Sequence, residues 1–244
     1  MIQGFGLAHF WAQADAAARA VAIVLLLMSM ASWYIICGKV VAHLRYRASV
    51  DRALHAFWNA DSRALALEAI RAEDKSGAFA RVAADALLAA EAYEQNTAKG
   101  IGAGVDPSDF IARTLQQSIV VAQAHIERGL SFLASVGSTA PFVGLFGTVW
   151  AIYHALVGLS GATQVVLEKV AGPVGEALIM TAAGLFVAIP AVLAYNACAR
   201  ANRLVVARLD GFAHSLHAYL VSGVRLNPAD RPKDDPVVRV VRKS

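Results

Sequence analysis

Residues 176–200 read Glu176-Ala-Leu-Ile-Met-Thr-Ala-Ala-Gly-Leu-Phe-Val-Ala-Ile-Pro-Ala-Val-Leu-Ala-Tyr-Asn-Ala-Cys-Ala-Arg200. Between the two charged ends lie about 23 uncharged residues, and a helix needs roughly 20 to cross a hydrocarbon core. At about 100° per residue, with Glu176 at zero, Ala177, Ala183, Gly184, Ala188, Ala191 and Ala194 fall on one side, with Thr181 at its margin. Leu178, Leu185, Phe186, Ile189 and Leu193 cover the other side. One face is therefore large and apolar, suited to lipid. The other is small, carries a carboxylate and permits close helix packing or the passage of a partner helix.

Two further uncharged stretches lie upstream, between Arg19 and Lys39 and between Arg128 and Glu168. Spans are expected at 20–38, 132–157 and 175–199. The composition agrees, with 57% hydrophobic residues, only 16% charged and a mean hydropathy of +0.51. The first stretch does not read as a cleaved leader, because its positive charges follow it and no Ala-x-Ala site comes after it.

Charge asymmetry predicts orientation. Lys39, Arg45, Arg47 and Arg52 follow the first span, Arg128 precedes the second, and Arg200, Arg203 and Arg208 follow the third. The loop between spans two and three holds only Glu168 and Lys169. The positive-inside rule then places residues 1–19 and the loop 158–174 outside, on what would be the periplasmic side of a bacterial inner membrane. Residues 39–131 become a cytoplasmic helical domain, and 200–244 a cytoplasmic helix with a basic tail.

In the first of these, residues 39–98 are rich in Ala, Leu, Glu and Arg, with Leu54, Phe57 and Trp58 and then Leu65, Leu67 and Ile70 at helical spacing. Gly77 and the glycine-rich run 100–104 break the pattern. Asp106-Pro107 reads as an N-cap and first helical residue, and one helix is predicted from there into span two. A similar extension of span three is predicted to about Val221. Eleven basic and eleven acidic residues balance over 39–128, as on a solvated bundle and unlike a nucleic-acid surface. The basic residues after span three suit lipid headgroups, with partner binding as the alternative. Asn227 to Ser244 is rich in Pro and charge, a composition that favours disorder.

Two roles fit Glu176. In a first helical turn it would complement the helix dipole and stay wet. At membrane depth a carboxylate costs roughly 2.5–3.5 kcal/mol, so it usually faces a bundle interior or a water path. Gly137, Ala140, Gly144 and Thr148 make a small face on span two that ends in a hydroxyl, and Thr148 can either bond back to its own helix or line a path. Pro141 and Pro190 interrupt the backbone ladders of spans two and three. His154 suits an interfacial position or a proton relay, and Trp11, Trp33, Tyr34, Trp150 and Tyr153 suit interfacial anchors or core.

Other chemistry is missing from the pattern. The run 100–104 has no following Gly-Lys-Ser/Thr. Cys37 and Cys198 lie in apolar stretches with no Cys-x-x-Cys pair. No Ser-His-Asp set or metal-ligand cluster stands out, so neither an enzyme nor a cofactor is expected. A solute carrier would show more spans and an internal repeat.

Ser138-Thr-Ala-Pro-Phe-Val-Gly-Leu-Phe-Gly-Thr-Val-Trp150 resembles the second-span signature of the MotA/TolQ/ExbB proton channel family. Ala171-Gly-Pro-Val-Gly-Glu-Ala-Leu-Ile-Met-Thr181, continued through Gly184 to Ala188-Ile-Pro-Ala-Val-Leu-Ala-Tyr-Asn196, resembles its third-span signature. Ala151 departs from the pattern, since a Gly is common there. The resemblance covers about residues 130–200; the cytoplasmic insertion matches only in length and helical character.

The resemblance implies an all-α integral membrane protein of three transmembrane helices with long cytoplasmic extensions, assembled as a pentameric ring in the bacterial inner membrane. It implies a central pore holding the single-span helices of a smaller ExbD-like or TolR-like partner. Carried over by position, Glu176 matches the family's intramembrane carboxylate, and Thr148 and Thr181 match its pore-facing hydroxyls. Gly137, Ala140, Gly144, Ala183 and Gly184 are read as the packing and partner-helix face. Gly172-Pro-Val-Gly-Glu-Ala looks closer to the ExbB branch, which works with ExbD and a TonB-like protein to energise outer-membrane uptake of iron chelates and vitamins. The alternative is the TolQ branch, which serves envelope integrity.

Overall fold

The computed structural model describes residues 15–96, 106–159 and 167–223. Trp11, the run 100–104, most of the loop after span two and the tail beyond Gly223 lie outside the described residues. Six helices are described: α1 Ala16–Trp58, α2 Arg63–Glu73, α3 Ala78–Asn96, α4 Pro107–Glu127, α5 Leu130–Leu159 and α6 Leu167–Ser222. Three of them, α1, α5 and α6, are long and apolar enough to cross a membrane.

The chain divides into two compact units. The first takes residues up to Val40 together with Glu127–Arg200, which bring the N-terminal part of α1, α5 and the first part of α6 together. Its core is Ala18, Val21 and Leu25 of α1, Val136 and Ala140 of α5, and Met180, Val187, Ala188 and Ala191 of α6. The side opposite the small face of α6 is open, as its wheel predicts: Leu178, Leu185, Phe186, Ile189 and Leu193 are all exposed. Pro141 and Pro190 interrupt the ladders without ending the helices, and both α5 and α6 run on through them. Each costs a single backbone bond, which the rest of a long helix absorbs.

The second unit takes Val41–Ile126 and the chain from Ala201 onward. Ile70, Phe79, Val82 and Leu209 are fully buried there, and Phe57, Phe79 and Phe212 meet ring to ring at 5.3 and 5.7 Å. Its helix starts are made by side chains. Ser62 Oγ accepts the Leu65 N–H at 3.2 Å, and Asp106 Oδ1 accepts the Ser108 N–H at 3.2 Å, the latter at the predicted cap. Asp74 is buried between α2 and α3: Oδ1 accepts from the Ser76 N–H and hydroxyl, and Oδ2 from the Phe79 and Ala80 N–H groups at 2.9 and 3.0 Å. Gly77, the predicted breaker, follows with φ of 71°.

Two expectations about helix ends fail. The single helix predicted from Asp106 into span two is interrupted: α4 ends at Glu127, Gly129 adopts φ of 88°, and α5 starts at Leu130. A left-handed residue cannot continue a right-handed helix. At the end of α4, the Asn202 side-chain amide donates to the Ile126 carbonyl at 3.1 Å, replacing a helical partner. Also, α6 begins at Leu167, inside the stretch 158–174 read as loop, so Glu176 lies well past its first turn and the helix-start role does not apply. Its other end falls at Ser222 with Gly223 at φ of 72°, close to the predicted Val221.

Candidate functional site

The small residues of α5 and α6 meet each other. A Cβ on Gly144 would lie 2.6 Å from the Met180 carbonyl oxygen, and one on Gly184 would lie 2.7 Å from that of Ala140. Real Cβ atoms do not approach so closely, so the two backbones touch where only hydrogen can fit. A Cβ on Gly137 would meet Val192 Cγ2 at 2.5 Å. Ala140 and Ala177 are fully buried, and Ala183 packs on the edge of the same core. Gly147 adds the third helix, because a Cβ there would meet Val21 of α1 at 3.0 Å and Met180 of α6 at 3.3 Å.

This close approach brings the two predicted hydroxyls together. Thr148, only 7% exposed, has its Oγ1 at 2.9 Å from the Ala177 carbonyl, 3.2 Å from the Gly144 carbonyl and 2.5 Å from Thr181 Oγ1. The back-bond to its own helix and the contact across to α6 therefore coexist. Thr181 is partly exposed. Glu176 belongs to α6, five residues before Thr181, and its side chain lies outside the described residues.

A second polar group was not legible in the sequence. Asp15 precedes α1 and takes the Ala16 N–H on Oδ1 at 2.6 Å. Its Oδ2 accepts from the Trp150 indole at 3.3 Å and lies 3.9 Å from His154 Nε2. His154 stacks against Trp150 with ring centroids 4.6 Å apart. The Trp150 bond and the Ala16 N–H hold the Asp15 carboxyl below its ordinary value, with smaller help from His154 and Arg19. Nothing in the spacing of residues 15 and 150 signals this contact. Among the described residues, no group of His, Cys, Asp and Glu could hold a metal ion.

Comparison with known proteins places these observations. The model of the "MotA/TolQ/ExbB proton channel family" matches residues 79–211. The biopolymer transport protein ExbB of Xanthomonas campestris pv. campestris is 42% identical over 208 residues, 84% of this chain and 82% of its own length. Its namesake in Neisseria meningitidis is 38% identical over 205 residues, 82% of this chain and 90% of that protein. The Tol-Pal system protein TolQ of Pseudomonas aeruginosa is 45% identical over 120 residues, 48% of this chain and 52% of its own.

Proposed function

Since this chain belongs to the MotA/TolQ/ExbB proton channel family, we propose that it is the proton-channel subunit of a motor of the ExbB type, energising outer-membrane uptake of iron chelates or vitamins. That family energises transport and is not a family of enzymes. The chain is a membrane protein with three apolar helices. The ExbB branch is favoured over the TolQ branch because likeness to ExbB extends over 84% of the chain, against 48% for a TolQ.

In this reading the chain forms a homo-pentamer in the inner membrane. The termini take opposite sides, with residues 1–19 in the periplasm and 39–131 and 200–244 in the cytoplasm. A single-span ExbD-like protein occupies the pore and a TonB-like protein receives the motion. Arg200 and Arg203 sit at lipid headgroups, whereas Arg208 is paired with Asp51 at 3.1 Å. Glu176 is the ionisable group on this subunit's side of the pore, with Thr148 and Thr181 as its polar neighbours. The single observation that carries the assignment is the Thr148–Thr181 hydroxyl pair, held across two apolar helices at the Gly144–Gly184 approach. Hydroxyls inside apolar helices bond across to a neighbouring helix, and this pair leaves a polar spot at the α5–α6 contact that a proton path can use. The energetic scale suffices, because one elementary charge crossing 100 mV releases about 2.3 kcal/mol.

The test is Glu176→Gln in the host chromosome, which keeps shape and removes charge. Energised uptake of an iron chelate is expected to stop, while native mass spectrometry still finds the assembled oligomer with its one-span partner. Full uptake with normal expression would remove Glu176 from the proton path. Loss of envelope integrity with uptake intact would move the protein to the TolQ branch.

A further inference from the structure

The carbonyls around Thr148 favour one placement of the hydrogens in the threonine pair. Each hydroxyl has one hydrogen and two lone pairs, and carbonyl oxygens only accept. Thr148 Oγ1 has two carbonyls in bonding range, Ala177 at 2.9 Å and Gly144 at 3.2 Å. If Thr148 donated instead to Thr181, both carbonyls would face its lone pairs. The Thr148 hydrogen therefore goes to the Ala177 carbonyl, with Gly144 as the weaker acceptor, and Thr181 donates to Thr148. One consequence follows for Thr181. A threonine in a helix commonly bonds back to the carbonyl four residues earlier, which here is Ala177, and its two lone pairs are already taken by the helical N–H of Thr181 and the hydroxyl of Thr148. The Thr181 hydrogen is thus drawn inward, and its lone pairs remain on the partly exposed side.

We propose that Thr148 is a positioning residue that fixes the polarity of Thr181, and that Thr181 acts as a hydrogen-bond acceptor for an O–H donor in the path, either water or a protonated carboxyl. The pair is then not a proton wire, because its chain ends on the Ala177 carbonyl, which cannot pass a proton on. It is a fixed acceptor. The Gly144–Gly184 approach is part of the device, since it keeps Thr148 within reach of α6. This inference rests on the proposed proton path.

The experiment replaces the chromosomal copy by Thr148→Val, Thr148→Ser, Thr181→Val, Thr181→Ser and, separately, Glu176→Gln, and reads proton-driven uptake beside the native mass of the oligomer. Thr148→Val has nearly the same shape without the hydroxyl. It is expected to lower the uptake rate about tenfold, the worth of one hydrogen bond, with the oligomer intact. Thr148→Ser is expected to restore it. Thr181→Ser should act as Thr181 does, and Thr181→Val should lose uptake. Infrared spectra of the purified complex supply a readout that packing alone would not move. Thr181→Val should shift either a water O–H band or the C=O band of a protonated carboxyl, and the band that moves names the donor. Thr148→Val with undiminished uptake, Thr148→Ser as poor as Thr148→Val, or no infrared change in Thr181→Val would overturn the proposal, the last even if Thr148→Val failed to assemble. Full uptake in Glu176→Gln together with losses in the threonine variants would sink the carboxylate assignment and leave the acceptor role standing.

Discussion

Gly144 of α5 and Gly184 of α6 form a backbone-to-backbone contact in which a Cβ on either would come 3.1 Å from the other's Cα. The contact sits one helical turn from Thr148 and just beyond Thr181, so the distance between the helices and the geometry of the hydroxyl pair are the same variable. Gly144→Ala and Gly184→Ala are each expected to push the helices apart, cost about 1–3 kcal/mol as overpacking, and weaken energised uptake. Thermal unfolding in detergent and uptake in cells measure the two effects. Unchanged values for both variants would mean that the contact does not control the site.

Gly129 makes the break between α4 and α5 at φ of 88°, and an added Cβ would meet Ile35 Cγ2 at 3.3 Å. Gly129→Ala is expected to destabilise by about 1–2 kcal/mol through the left-handed backbone alone. Ile35→Ala in the same background relieves the side-chain contact without relieving the backbone. The midpoint of unfolding in the double variant should therefore stay below that of Ile35→Ala alone.

Asp74 is expected to be intolerant even of Asn. Both of its oxygens accept from N–H or O–H donors at the start of α3, and an amide NH₂ in place of either oxygen would face them with hydrogen. Asp74→Asn and Asp74→Ala should each lose about 1–3 kcal/mol, the range for a buried group left unsatisfied. Circular dichroism during chemical unfolding would show this as an earlier transition. A midpoint for Asp74→Asn equal to wild type would contradict the bonding pattern.

Tyr46 carries a buried hydroxyl that makes no hydrogen bond of good geometry, with Arg208 as its neighbouring donor, and its ring packs on Phe79 at 6.2 Å between centroids. Tyr46→Phe is therefore expected to keep or slightly raise stability, within about 1 kcal/mol. Burial pushes the Tyr46 phenol up, with the Arg208 charge opposing the rise. Below the ordinary phenol value both the folded and the unfolded chain hold the proton, and the shift has no effect. As pH rises past that value the unfolded chain releases its proton first, so stability falls until the raised folded value is passed. Wild type should lose more stability than Tyr46→Phe on going to alkaline pH, as thermal melts at both pH values would reveal. Parallel losses would place the alkaline sensitivity elsewhere.

The sequence alone determined which segments are apolar enough to span, that Asp106 caps a helix, that Gly77 breaks one, and which side of α6 is small. Each of these depends on a residue and its near neighbours: transfer free energy summed along a segment, the acceptor of a cap, or about 100° per residue around a helix. Only the tertiary structure decided what the small side touches. Periodicity assigns Ala177, Gly184 and Ala188 to a face, but it names no partner for that face, and α5 takes it through Gly144. The break at Gly129 was hidden for a related reason. A lone glycine is tolerated inside a helix, and the features that accompany the break involve residues distant in sequence: Ile35, which a Cβ on Gly129 would meet, and Asn202, which takes the Ile126 carbonyl at the end of α4. Asp15 meets Trp150 across 135 residues, and Thr148 donates across 29 to a backbone carbonyl, an atom every residue carries and no sequence pattern distinguishes.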